Sequence, residues 1–127
     1  MNKRKKSTTA TALQQVAMRT AKYMGFQHWA IKAIRVSIRK PCPYWAKTSG
    51  SPYGVTDIDD HPAARDRRLR IWIDVDGCLS DNEAPESVVI HEVIHLHNWL
   101  TILPVLDEQL AMQREKDLYR LYLEGVF

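Results

Sequence analysis

Apolar positions recur along this chain at two spacings, and each predicts an element. Leu13, Val16, Ala17, Thr20, Ala21 and Met24 follow the helical period, and Gly25 supplies a stop, so a helix is expected over roughly 9–24. In "IRVSIRK", Ile34, Val36 and Ile38 alternate with Arg35, Ser37 and Arg39, the period of a half-buried strand, which Pro41 ends. The second and cleanest strand is "LRIWIDV", 69–75. Its Leu69, Ile71, Ile73 and Val75 claim a core face, leaving Arg70, Trp72 and Asp74 for a solvent or substrate face, and Asp76 and Gly77 turn the chain away.

Between the strands, residues 41–67 carry Pro41, Pro43, Pro52 and Pro62 with Gly50 and Gly54 among them. A long irregular segment inside a compact domain is commonly functional or mobile. Tyr44, Trp45, Tyr53 and the charged "DIDDHPAARDRR" would let it line a groove, while a surface excursion with short hidden strands fits the pattern equally well. "DVDG" resembles the start of a calcium loop, but Cys78 and Leu79 break that pattern and no glutamate closes it.

Ser80, Asp81 and Asn82 are cap formers, and Pro85 and Glu86 suit a first turn, so a second long helix is expected from about residue 85. Val89, Val93, Leu96 and Leu100 form its expected buried stripe. After a break at "TILP", a last helix is expected over about 105–123, with Leu106, Leu110, Leu118 and Leu121 toward the core. The fold class that follows is α+β: an N-terminal helix, a small sheet and two C-terminal helices.

Length and composition narrow the picture. At 127 residues the chain suits one domain, expected over 9–127, and its 45% apolar and 26% charged content indicates neither disorder nor a membrane span. The formal charge of +3 owes much to "KRKK", Lys3 to Lys6, and residues 1–8 read as a flexible basic tail. A nucleic-acid contact there, extended by Arg65, Arg67, Arg68 and Arg70, is weakly supported because no aromatic residues interleave with the tail's charges. No apolar run follows the lysines as a signal peptide would require, so a cytoplasmic protein is expected. Cys42 and Cys78 lack metal-site spacing and read as thiols, although one disulfide is compatible with the sequence.

The chemistry concentrates in "VVIHEVIHLHNWL", 88–100. On a helix, residues four apart differ by about 40° of rotation and one turn of rise, so His91 and His95 can share one Zn2+. Glu92, one step round, suits a general base acting on metal-bound water, whose pKa zinc lowers toward about 7. His97 lies about 200° from His95 and leaves from the opposite side, where a partly buried polar residue is the better reading.

"HEVIH" on a helix, preceded by "LRIWIDV" and followed by another helix, resembles the zincin metallopeptidases over Leu69 to about Leu123. That resemblance implies hydrolysis of peptide bonds in a protein or peptide substrate, with the preceding strand at a sheet edge and substrate extended alongside it. The third ligand separates the subfamilies. Asn98 and Thr101 stand where a metzincin needs glycine and histidine, and no histidine follows His97 as SprT-like proteases require. The gluzincin plan remains, as in small gluzincins and the ImmA/IrrE-type peptidases, with a carboxylate from the following helix completing the site. If the two helices form an antiparallel hairpin, His95 and Glu108 both stand about 6 to 8 Å from the turn, which makes Glu108 the expected third ligand. Glu115, two turns farther, is the second choice. An oxyanion donor is expected among Tyr53, Tyr119 and Tyr122. Two other readings stay open: a regulatory module holding zinc for structure alone, and a nucleic-acid-associated protease.

Overall fold

The first helix forms where the periodicity places it. In the computed structural model, which describes residues 9–39, 53–59, 68–101 and 108–127 and only the backbone at 58, 59, 101 and 108–110, α1 runs Ala10–Tyr23. Thr9 caps it by accepting from the Ala12 N–H at 3.1 Å, and Gly25 leaves it at φ +85°, a conformation open to glycine without a Cβ penalty. The expected tail 1–8, most of the segment 41–67 with Cys42, Tyr44, Trp45, His61, Arg65 and Arg67, and Leu106 and Asp107 lie outside the described residues.

Two short helices depart from the expectations. His28–Ala33 is helical (α2), so the first strand shrinks to Ile34–Ser37 (β1). Val75–Ser80 is also helical (α3), so the strand expected over 69–75 ends at Ile73. Asp74 explains the change: its carboxylate accepts from the Gly77 N–H at 3.1 Å and starts a helix where a turn was expected.

The described strands form one mixed sheet in the order β1-β3-β2, where β2 is Gly54–Asp59 and β3 is Arg68–Ile73. β1 pairs with β3 in parallel, Ile34 opposite Leu69 and Val36 opposite Ile71. β2 pairs with β3 antiparallel, Thr56 opposite Ile71. This corrects the strand role implied by the zincin resemblance, because among the described strands "LRIWI" is central and β2, hidden in the irregular segment, is the edge on the α4 side. The outer edge of β1 is blunted by Gln14 of α1, whose amide nitrogen donates to the Ile34 carbonyl and whose amide oxygen accepts from the Val36 N–H, both at 2.8 Å.

Trp72 also departs from expectation. Alternation keeps it out of the main core cluster, which takes Leu69, Ile71 and Ile73, yet it is 7% exposed rather than wet, with its indole N–H donating to the Arg39 carbonyl at 3.1 Å. Next come α4, Pro85–Thr101, and α5, Glu108–Leu123. Val89, Ile90, Val93, Ile94 and Leu96 of α4 are fully buried among α1, the sheet and α5, whereas Leu100, expected in that stripe, is exposed near the helix end. Leu118 and Ala111 are the buried residues described on α5. Among the described residues the architecture is therefore α+β, with five helices and a three-stranded sheet. None of the described helices is long and apolar enough to cross a membrane.

Candidate functional site

His91, Glu92 and His95 sit in the middle of α4, among the buried aliphatic residues Val89, Ile90, Val93, Ile94 and Leu96. Glu92 is 3% exposed and His95 6%, a costly placement for ionisable groups unless each finds partners. His91 and His95 stand one turn apart with their rings nearly perpendicular, at 79°, and their Nε2 atoms 3.1 Å from one another. His91 Nδ1 lies 2.8 Å from Glu115 Oε1 on α5. A carboxylate can only accept at that distance, so Nδ1 carries the proton and the Nε2 lone pair of His91 points at His95.

Glu92 is held from the sheet side. The Thr56 hydroxyl on β2 donates to Glu92 Oε1 at 2.6 Å. The strand can come this close because of Gly54, where a Cβ would stand 3.0 Å from both Val88 Cγ1 and Ile73 Cδ1.

Could these residues take a metal ion? Two imidazole nitrogens bound to one tetrahedral zinc at 2.0–2.1 Å stand about 3.3 Å apart, and the Nε2 pair is at 3.1 Å. The histidines fit that edge. A complete set is not assembled: among the described residues no group of three or more His, Cys, Asp or Glu side chains is arranged to hold a metal ion. Glu115 meets His91 on Nδ1, the nitrogen turned away from His95.

The helix hairpin sets where the carboxylates stand. Glu115 meets His91, while Glu108, seven residues earlier on α5, lies about 10.5 Å back along the axis. The Glu108 side chain is outside the described residues. His97 stays on the far side of α4 with its ring 5.7 Å from Phe26, where burial, then the nearby Arg114 charge, lowers its pKa. Of the three tyrosines, Tyr53 is engaged elsewhere: its hydroxyl donates to Asp81 at 2.7 Å, and that bond, with burial second, pushes its pKa up to about 12. Tyr122 stacks on Tyr119 and tilts against Phe127. Tyr119 lines a groove of about 550 Å³ between the start of α4 and the second half of α5, together with Asn82, Ser87, Glu115, Arg120 and Leu123. Cys78 is a buried free thiol, and burial pushes its pKa up to about 11.

Two polar partnerships escaped the sequence reading: Thr56 with Glu92, and Arg114 with the Asn98 side-chain oxygen at 3.3 Å. The alternation of Gly54, Thr56 and Ile58 against Val55, Asp57 and Asp59 is the signal that could have found the first. No protein-family model, curated protein or solved structure matches this chain.

Proposed function

We propose that this protein is a small zinc metallopeptidase of zincin-like, gluzincin type, acting on peptide bonds of a protein or peptide substrate in the cytoplasm. The observation that carries the reading is the His91 and His95 Nε2 pair, 3.1 Å apart, with Glu92 buried beside it on the same helix. His91 and His95 would hold the Zn2+, and a carboxylate of α5 would complete the set. Glu115 meets His91 on the nitrogen turned away from His95 and is placed to orient that ring, so Glu108 stays the candidate ligand and Glu115 the second choice. When bound, the ion would supply a water of lowered pKa and polarise the scissile carbonyl.

The chain's own residues supply the rest. Glu92 takes a proton from the attacking water and returns it to the departing amine, which is general-base and then general-acid work. Its burial favours this, since a carboxylate screened from bulk water keeps its partner fixed. While Glu115 accepts from Nδ1–H, it orients the His91 ring and raises the basicity of Nε2. Tyr119, in the groove that Glu115 also lines, is the tyrosine best placed to donate to a developing oxyanion. The free Cys78 thiol accords with a reducing compartment.

Metal analysis tests the proposal: protein purified without added zinc should carry close to one zinc per chain. An apo protein that gains neither metal nor thermal stability on zinc addition would overturn it. A module that keeps zinc for structure alone would share the histidines but have no use for Glu92 as a base. The nucleic-acid reading gains nothing from Arg70, which pairs with Asp57 at 3.4 Å.

A further inference from the structure

The strand β2 and the helix α4 meet in step. Residues two apart on one face of a strand are separated by about 6.8 Å, and residues four apart on a helix by about 6 Å. Gly54 faces Val88 and Thr56 faces Glu92, so one strand face and one helix face stay in register over a full turn. The Thr56 hydroxyl donates to Glu92 Oε1 over a short 2.6 Å. Oγ1 also lies 3.3 Å from the Glu92 carbonyl, so the hydroxyl sits against both the backbone and the side chain of this residue. Threonine is stiff at χ1, and a hydroxyl on a paired strand moves little.

From this geometry we infer that Thr56 is a positioning residue for Glu92, holding its carboxylate aimed, with Gly54 setting the separation that the hydrogen bond needs. The inference rests on the proposed role of Glu92 as base. Glu92 lies on a helix, where a long side chain has several rotamers open to it, and the bond to the sheet selects one of them. Thr56 touches neither metal nor substrate and acts through Glu92.

The test compares the full-length parent with Thr56→Val, Thr56→Ser and Glu92→Gln. Metal affinity is measured first. Acetohydroxamate binding is then followed through the visible spectrum of the cobalt-loaded protein, because this chelator presents a proton that Glu92 must accept. Cleavage of a pooled peptide digest is read by mass spectrometry. Thr56→Val removes only the hydroxyl, so acetohydroxamate binding and cleavage should each fall about 10- to 100-fold, the range for lost positioning partners, while metal affinity stays within about threefold. Thr56→Ser restores the hydroxyl and should recover most of both. In a Glu92→Gln background, Thr56→Val should add nothing further, which a merely structural role would not produce. A metal-loaded parent that binds acetohydroxamate, with Thr56→Val indistinguishable from it or Thr56→Ser as impaired as Thr56→Val, overturns the role of Thr56 and leaves the peptidase reading standing. A parent that takes up no metal overturns both.

Discussion

Helices α1 and α4 pack against each other in the same core, and both bury polar side chains, but they satisfy them in different ways. In α1 the buried polar residue is Thr20, whose hydroxyl donates to the Val16 carbonyl one turn back at 2.7 Å. The helix is self-sufficient. In α4 the buried polar residues are Ser87, Glu92, His95 and Asn98; Glu92 and Asn98 find partners on other elements, Thr56 on β2 and Arg114 on α5, and His95 meets His91, which itself reaches Glu115 on α5. Ser87 closes on the backbone, on the Ala84 carbonyl at 2.9 Å. Burying a carboxylate and an imidazole costs far more than burying a self-bonded hydroxyl, and aliphatic residues at 92 and 95 would build a more stable helix. The difference marks α1 as packing and α4 as the helix that bears the cost of the proposed chemistry.

The sharpest break in that comparison is Glu92→Gln. The substitution keeps size and removes the base, so cleavage of a pooled peptide digest should drop by about 10² to 10⁴ while zinc content and the far-ultraviolet dichroism spectrum persist. Unchanged cleavage would make Glu92 a structural residue like Thr20. Next in size is Leu13→Ala on α1. Leu13 is fully buried, and its truncation should lower unfolding free energy by about 2 to 5 kcal/mol in urea titrations with zinc stoichiometry unaltered. A loss of zinc in a variant that still folds would show that α1 shapes the site as well as the core.

Glu115→Ala and Glu108→Ala sharpen the polar side. Removing the carboxylate that meets His91 should weaken zinc by about 10- to 100-fold in competition with a chelator, whether it binds the ion or orients the ring. The same change at Glu108 removes the candidate third ligand, and a loss of zinc affinity at least as large as that of Glu115→Ala would assign it that place. A Glu108→Ala variant that keeps the parent's affinity would leave Glu115 as the ligand.

How far these assignments were legible in the sequence depends on whether a residue's neighbours lie on its own helix. His91, Glu92 and His95 are related by the geometry of one helix, and the structure puts them where that geometry predicts. The offset between α4 and α5 is different, because it depends on how two helices slide and rotate against each other. Hairpin reasoning pairs His95 with Glu108, whose side chain lies outside the described residues, and it did not foresee the contact of His91 with Glu115. Thr56 was harder still. "GVTDID" carries two aspartates and lies among prolines and glycines, so its weak alternation was submerged, and its pairing with β3 is a tertiary event. The six-residue helices α2 and α3 are too short to show a period at all. By contrast, α1 and the start of α4 were legible because a full apolar stripe and strong boundary residues, Gly25 and Pro85, say the same thing.

The smallest expected effect lies on the α1 side. Thr20→Val puts a methyl group in place of a hydroxyl at a fully buried position, and the Val16 carbonyl that accepts from this hydroxyl keeps its place in the helix ladder. One modest hydrogen bond is lost and some apolar burial is gained, so unfolding free energy should change by less than about 1 kcal/mol in either direction, read from the urea midpoint at constant m. Thr56→Val makes the same chemical change where the acceptor is the carboxylate of a buried glutamate, and there the consequence should appear in hydroxamate binding and cleavage. An ordinary hydrogen bond between neutral groups contributes about 1 kcal/mol. Should Thr20→Val cost about twice that or more, α1 would also depend on a close polar fit, and the contrast between a packing helix and a chemical one would not hold.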